Sequence, residues 1–167
     1  MAWSASAIFR EWPKAVMGQG QTAAVLPAGY AGLGADTVKV ALFNNSVTPD
    51  KDAALTSTGY NTGTWTTGNE VTDATNWVAG GRSLASKTLT TPSTGVFMFD
   101  AADLAGGGTV TLTNAYGCLV YDDTITAGTG GVADEGACFN YFGGPQSVTA
   151  GSFTIVWNAN GILRITV

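Results

Sequence analysis

The residues most able to do chemistry in this sequence are acidic, and they concentrate around one stretch of the chain. In YGCLVYDDTIT, residues 116 to 126, an apolar segment ends in the adjacent acids Asp122 and Asp123. Two further acids, Asp134 and Glu135, follow a segment rich in Gly and Thr. Such acids could form a catalytic carboxylate pair, a metal-binding loop or the polar end of a β-hairpin. The choice among these decides whether the sequence indicates an enzyme.

Catalysis is disfavoured on three grounds. The sequence contains no histidine, which removes Ser-His-Asp and Cys-His catalysis and most catalytic zinc sites. Asp122 and Asp123 are adjacent at a strand end, so their side chains point to opposite faces and cannot act as one pair. The segments GLGADT and GGRSLAS lack the Lys-Ser/Thr that completes a P-loop. We therefore predict that the protein is not an enzyme, has no catalytic residues and uses no cofactor.

Calcium is the metal that these acids suit best, because it takes roughly six to eight oxygen ligands. Asp50 and Asp52 in TPDKDAA also have the spacing of a calcium loop, but the segment lacks the central Gly and the closing Glu of an EF-hand. A hairpin with a polar end explains the acids of 122–135 more simply. We predict no metal site, and a hairpin that pairs strand 118–121 with strand 138–142 and holds the acids of its connection in water.

Cys118 and Cys138 are the two cysteines of the sequence, too few for a disulfide scaffold. Both lie in apolar, strand-like segments, where free cysteines commonly pack as small hydrophobic residues. The sequence favours two reduced thiols, and a bridge between them remains the alternative.

The composition argues against nucleic acid as a partner. The formal net charge is −5 and only 11% of residues are charged, where about 25% is usual. None of the seven basic residues lies between Lys87 and Arg164, an interval that holds six acids. Phosphate binding depends on clustered Lys and Arg, so we predict no nucleic-acid binding. Scarce charge is typical of a protein packed against other proteins, or of a Thr-rich β-protein with few charges.

The N-terminal segment does not have the pattern of a signal peptide. MAWSASAIFREWPKAV lacks a basic start and places Arg10, Glu11 and Lys14 where a hydrophobic run should be. The uncharged stretch 15–35 contains Gln, Pro and several Gly, which make a poor membrane span. We expect a chain made and folded in a cytoplasm, with no membrane partner.

Residues 1–35 are predicted to form an N-terminal arm that carries a short helix. Its apolar face consists of Ile8, Phe9, Trp12 and Val16. Pro13 lies inside the pattern, so the helix either ends at Trp12 or begins there with Pro13 in its first turn. The following residues show no period, which favours an arm laid over a surface. That surface is either a neighbouring subunit, in which case the four apolar residues form an interface, or the protein's own domain.

Residues 36–167 are predicted to form one mainly β domain. The strand-like segments are TVKVALFN (37–44), RSLASKTL (82–89), GVFMFDA (95–101), TVTLT (109–113), GCLVYDD (117–123), ACFNYFG (137–143), SFTIVW (152–157) and LRITV (163–167). Asn160-Gly161 is a hairpin-turn signal, which predicts that the last two strands pair. Short strands with frequent turn residues indicate an antiparallel β-sandwich, jelly-roll or Ig-like in topology.

The order of several segments resembles that of small structural proteins of tailed bacteriophages. The resembling segments are DTVKVALFNNSVTPD (36–50), GNEV (68–71), WVAGGRSL (77–84), VFMFDAADL (96–104), YGCLVYDD (116–123), FNYFGG (139–144) and AGSFTIVWNANGILRI (150–165). The resemblance implies a β-sandwich component of the virion, on its head or tail. It brings no catalytic residues, and the arm lies outside it.

The resemblance and the composition together favour a capsid decoration (cement) protein that stabilises the head. Its partners would be the major capsid protein and further copies of itself, with a homotrimer favoured, and its location would be the virion. The alternatives are a minor tail protein and a host-surface or glycan-binding virion module. In the glycan-binding alternative Trp65 and Trp77, in a loop rich in Gly and Thr, would be the residues that stack on sugars.

Overall fold

The computed structural model describes residues 3–16, 27–126 and 131–166, the side chains of 14–16 excepted. The chain is mainly β, as the sequence predicts. Its strands are β1 (Ala7–Ile8), β2 (Val38–Phe43), β3 (Arg82–Ser83), β4 (Thr88–Ser93), β5 (Val96–Asp100), β6 (Leu104–Ala105), β7 (Val110–Asp122), β8 (Glu135–Gly151), β9 (Thr154–Ile155) and β10 (Leu163–Thr166). One short helix, α1 (Glu11–Val16), and two 3-10 turns, Leu55–Ser57 and Thr67–Asn69, accompany them.

The strands form three sheets in which every pairing is antiparallel, which confirms that part of the prediction. The largest sheet has five strands in the order β1-β8-β7-β2-β3. A second sheet has the order β10-β5-β4, and β6 pairs with β9 in a third. Among the described residues, no helix is long and apolar enough to cross a membrane.

The β7–β8 hairpin is the centre of the largest sheet, and the predicted pairing of strand 118–121 with strand 138–142 is confirmed. Val120 lies opposite Cys138, and Cys118 lies opposite Asn140. The segments TVTLT and GCLVYDD, predicted as separate strands, belong to one strand because bulges on either side of Ala115 let the pairing continue. The two cysteines are buried and unbridged, as predicted, and burial raises the pKa of Cys138 to about 12.

The predicted hairpin at Asn160-Gly161 is wrong, although the turn itself is present. The Gly161 N–H donates to the Asn158 carbonyl at 2.7 Å, and Gly161 has a φ of +81°. The strands on either side of this turn join different sheets, since β9 pairs with β6 and β10 pairs with β5. A turn signal fixes a local reversal of the chain, while burial of the apolar faces selects each strand's partner.

The predicted strand 82–89 is also divided between two sheets. Ser86 interrupts it with a φ of 51°, so that β3 pairs with β2 while β4 pairs with β5. Just before β3, a Cβ on Gly81 would lie 1.9 Å from the Val40 carbonyl oxygen, so only glycine allows the chain to approach β2 this closely.

The described part of the N-terminal arm is built into the core of its own domain. β1 pairs with β8, and the Trp3 indole N–H donates to the Asn44 carbonyl at 2.9 Å. The Phe9 ring lies 5.3 Å from the ring of Phe139 and 6.0 Å from that of Trp65. Trp3, Phe9 and Trp12 therefore share one hydrophobic core with the body of the protein.

This packing corrects the predicted arm interface for its two largest side chains. Phe9 is 0% exposed and Trp12 is 3% exposed within the chain itself, so neither offers its apolar surface to a neighbouring subunit. Ile8 is half-buried, and the side chain of Val16 lies outside the described residues. The helix begins at Glu11 with Pro13 in its first turn, close to the second of the two predicted arrangements.

Candidate functional site

The acids at the end of the β7–β8 hairpin lie on two different faces of the sheet, as predicted for adjacent residues. The carboxylate of Asp123 is 2.8 Å from the Lys39 ammonium, and both side chains are partly exposed. Asp122 points the other way and is 0% exposed. The two acids therefore do not form a pair, and the surface ion pair adds little to stability.

The prediction that the acids of this connection lie in water is wrong for two of them. Glu135 is the register partner of Asp122 across the hairpin, so the two side chains share a face, and it is also 0% exposed. Asp36, which precedes β2, is 4% exposed and interacts with Asp122. We refer to Asp36, Asp122 and Glu135 as the carboxyl cluster.

The hydrogen bonds of the carboxyl cluster are unequally distributed. The Asp36 carboxylate accepts from the backbone N–H groups of Ala31 and Gly32, each at 2.9 Å from Oδ2. One oxygen of Asp122 accepts from the Thr124 N–H at 3.0 Å. Its other oxygen has no hydrogen-bond partner among the described residues.

Glu135 is the least satisfied member of the carboxyl cluster. Neither of its carboxyl oxygens has a hydrogen-bond partner among the described residues. The backbone N–H of Val132 is near enough to lower the pKa of Glu135 but does not reach hydrogen-bond geometry. An ionised carboxylate left in this state would lose its hydration without compensation, so the protonated form is favoured.

Burial raises the pKa values of both hairpin members of the carboxyl cluster. Burial raises the pKa of Asp122 to about 7 against a lowering by the Thr124 hydrogen bond, and the neighbouring Asp36 acts in the same direction as burial. Burial likewise raises the pKa of Glu135 to about 7, and the charge of Asp122 adds to this rise. Among the described residues, no lysine or arginine contributes an opposing effect on either pKa.

The carboxyl cluster is the acid group that sequence reasoning missed, and it does not have the form of an active site. Two of its three members are fully buried, so a substrate has no access to them. Within the described ranges, no three His, Cys, Asp or Glu side chains converge in a way that could hold a metal ion. Because burial raises the pKa values of Asp122 and Glu135 to about 7, the arrangement can hold protons close to neutral pH.

In the second candidate metal loop, the carboxylates of Asp50 and Asp52 already have partners within the protein. Asp52 lies 2.7 Å from the Lys51 ammonium and 3.3 Å from the Arg10 guanidinium. The hydrogen bond from Lys51 is the main reason that the pKa of Asp52 is lowered. Asp50 accepts from the backbone N–H of Asp52 at 2.8 Å, which makes the segment a local turn.

Calcium is therefore expected to leave the stability of the protein unchanged. Addition of millimolar CaCl2 should not alter the melting temperature, because Asp52 is paired with Lys51 and Arg10, Asp50 accepts from a backbone N–H, and the carboxyl cluster is not arranged around a metal. Thermal melts in CaCl2, in MgCl2 and in EDTA provide the measurement. A rise of several degrees that is specific to calcium and absent in Asp50→Asn or Glu135→Gln would contradict this expectation.

The two tryptophans proposed to stack on sugars are not available for that role. Trp65 is 1% exposed and packs against Phe43 at 5.1 Å between ring centroids. Trp77 is 0% exposed and packs against Phe153 at 5.5 Å. Both side chains anchor the core, so the glycan-binding alternative loses the residues on which it was based.

The β4–β5 hairpin presents two large apolar side chains to solvent on one exposed, uncharged element. All six residues of β4 are exposed, and the chain carries no charge between Lys87 and Asp100. Leu89 is 59% exposed and Phe97 is 57% exposed. They line one shallow groove, and β4 lies at the edge of its sheet.

The comparisons with known proteins give no family for this chain. No protein-family model, no curated protein and no solved structure matches it.

Proposed function

We propose that this protein is a structural component of a tailed-bacteriophage particle, and in particular a capsid decoration protein that docks on the assembled head. The observation that carries the proposal is the exposed, uncharged β4–β5 hairpin with Leu89 and Phe97 on one face. The resemblance of residues 36–167 to phage structural proteins supports the same class. A non-enzymatic role agrees with the absence of histidine.

We also propose that the five-stranded and three-stranded sheets are the two layers of a β-sandwich, jelly-roll or Ig-like in topology. One hydrophobic core contains residues from both sheets, which supports this arrangement. Val40 and Leu119 come from the first sheet, and Phe99 and Leu163 come from the second. The exposed hairpin would then extend past the edge of the core.

The hairpin is suited to protein contact for two physical reasons. Burial of Leu89 and Phe97 against a partner would contribute roughly 1.5–3 kcal/mol for each side chain. The free backbone groups of an edge strand can also pair with a strand of the partner. The absence of charge along residues 88–99 means that docking requires no desolvation of an ion.

The proposed partners are the major capsid protein and further copies of this chain, with a trimer favoured. A minor tail protein would use the same surface, and the number of copies per particle separates the two. Gel densitometry of purified particles would show hundreds of copies for a decoration protein and a handful for a tail component.

Charging the hairpin is expected to prevent attachment to heads. The double substitution Leu89→Lys and Phe97→Lys should lower the affinity for heads assembled without the protein by about 100-fold or more, because two apolar contacts are replaced by buried charges. The melting temperature should change little, since both side chains are exposed. Co-sedimentation of purified protein with heads gives the affinity.

Val156→Lys is the matched control, because Val156 is 72% exposed but lies outside the hairpin. It should bind heads as the unsubstituted protein does. Equal loss in both variants, or full binding by the double variant, would contradict the role of the hairpin. Binding of the unsubstituted protein to purified tails and not to heads would overturn the decoration assignment.

A further inference from the structure

The carboxyl cluster lies beneath a segment that belongs to no sheet. We call residues 27–37 the cover segment. A Cβ on Gly29 would lie 2.2 Å from the Thr124 carbonyl oxygen, and a Cβ on Gly131 would lie 2.8 Å from the Cβ of Pro27. The cover segment is therefore in close contact with the hairpin connection at both of its sides.

Among the described residues, a few hydrogen bonds join the cover segment to the hairpin connection, in addition to its packing against the hydrophobic core. The Thr126 N–H donates to the Ala28 carbonyl at 2.8 Å. At the other end, the Thr37 N–H donates to the Thr124 hydroxyl at 2.8 Å, and the Asp123 N–H donates to the Thr37 carbonyl at 2.9 Å. Segments held by few contacts outside the sheets open at lower cost than paired strands do.

The cover segment contributes one of the three buried carboxyl groups. The Asp36 carboxylate accepts hydrogen bonds from the backbone N–H groups of Ala31 and Gly32 within the cover segment. The same carboxyl group interacts with that of Asp122. Asp122 and Glu135 are fixed by the β7–β8 ladder. Repulsion within the carboxyl cluster would therefore act between a hairpin fixed by its ladder and a cover segment that belongs to no sheet.

The titratable groups that face the cluster are all acidic. The cover segment supplies Tyr30 and Asp36, β7 supplies Asp122 and β8 supplies Glu135. Among the charged residues of the same sheet, Lys39 of β2 points to the opposite face and pairs with Asp123. Burial raises the pKa of Asp134, and the Lys39–Asp123 pair also acts on that pKa. If Asp122 and Glu135 both ionise, no described cation balances their charges.

We propose that the cover segment is a proton-controlled latch, which is closed while Asp122 and Glu135 hold protons and opens when both ionise. The geometry supports this directly: two fully buried carboxyl groups face each other across the hairpin, three of their four oxygens lack a hydrogen-bond partner, and the third carboxyl belongs to the cover itself. Ionisation leaves unsolvated negative charges that water can reach only when the cover lifts.

The pH at which the latch opens lies near neutrality. Burial raises the pKa values of Asp122 and Glu135 to about 7, so protons are held at pH 6 and lost at pH 9. Opening would also separate Tyr30 from Trp12, whose rings meet edge to face at 5.8 Å between centroids. This inference is independent of the proposed function.

Hydrogen exchange measured by mass spectrometry tests the latch. Protection factors, corrected for the intrinsic effect of pH on exchange, should fall about tenfold or more further in residues 27–37 than in peptides from β2 and β7 between pH 6 and pH 9. The double variant Asp122→Asn and Glu135→Gln should keep the cover protected at pH 9. The control Asp123→Asn alters the other face and should behave as the unsubstituted protein does.

Each contrary outcome identifies a different error. Equal protection of residues 27–37 at both pH values would overturn the proposal, as would an equal fall in the double variant. An equal loss of protection throughout the chain at pH 9 would show global destabilisation rather than a latch. Protection at pH 9 that depends on added CaCl2 and disappears in EDTA would show a bound cation in place of protons. If the double variant does not fold, Glu135→Gln alone should halve or abolish the effect, and no change in it would count against the latch.

Discussion

Deletion of residues 1–16 is expected to abolish the cooperative thermal unfolding of this protein. The deletion removes Trp3, Phe9 and Trp12, which are all buried in the same core as the body of the chain. It also removes β1 and exposes the edge of β8. Circular dichroism melts of the truncated protein provide the measurement. A truncated protein that keeps a sharp transition near the original temperature would show that the arm is dispensable for folding.

Single substitutions allow the same expectation to be tested without losing the fold. Phe9→Ala should lower the free energy of unfolding by ~3–5 kcal/mol, the range found for large aromatic side chains removed from cores. Ser4→Ala, at an exposed position of the same segment, should have little effect. Urea denaturation of both variants gives the difference. A Phe9→Ala variant as stable as Ser4→Ala would place the Phe9 side chain against a partner and not in this core.

Raising the pH from 5 to 9 is expected to lower the free energy of unfolding by several kcal/mol. In the unfolded chain Asp122 and Glu135 ionise near their ordinary pKa values of 3.8 and 4.5, whereas burial raises both to about 7 in the folded chain. The folded state therefore binds more protons between these values, and stability falls as the pH rises. Their contribution is fully present below about pH 4 and is lost as the pH passes through about 7.

The size of the effect follows from the shift of each pKa. For Glu135 a rise from 4.5 to about 7 corresponds to ~3 kcal/mol, and for Asp122 the rise from 3.8 corresponds to ~4 kcal/mol. The two groups interact, so their contributions do not simply add. Glu135→Gln should be more stable than the unsubstituted protein at pH 8 and should flatten the pH profile. Asp123→Asn is the control, and an equal slope in Glu135→Gln and the unsubstituted protein would contradict the expectation.

Local patterns in the sequence were sufficient to predict those features that depend on neighbouring residues. Alternation identified β2 and β5, and the apolar segments around Cys118 and Cys138 identified the central hairpin with its two free thiols. The opposite orientation of Asp122 and Asp123 follows from strand geometry alone. These features could be predicted because the alternation of a strand can be read from consecutive residues.

The carboxyl cluster could not be predicted in the same way. Asp36 and Asp122 are 122 − 36 = 86 positions apart, and nothing near either residue indicates that the cover segment crosses the end of the hairpin. Sequence polarity suggested water around Asp122 and Glu135, but the tertiary fold places both beneath this segment. Whether an acid is buried depends on which distant segment of the chain packs over it.

Prediction from the sequence has the same limit for apolar residues, as Phe97 and Phe99 show. Alternation places both on one face of β5, and the sequence treats them as equivalent. The structure leaves Phe97 57% exposed and Phe99 1% exposed. Burial on one face of β5 therefore differs between two positions, and alternation alone does not tell which ring is available to a partner.

The pairing of β1 with β8 has a consequence for the synthesis of the chain. Ile8 lies opposite Cys138, so β1 has no partner until 138 − 8 = 130 further residues have been added. At ~5–20 residues per second, the nascent chain presents Trp3, Phe9 and Trp12 to the cellular environment for roughly 6–26 s before β8 leaves the ribosome. The first aromatic residues to be translated are thus among the last to be buried. During that interval a ribosome-associated chaperone would find them accessible, and neighbouring nascent chains on one polysome would have the same apolar segment exposed.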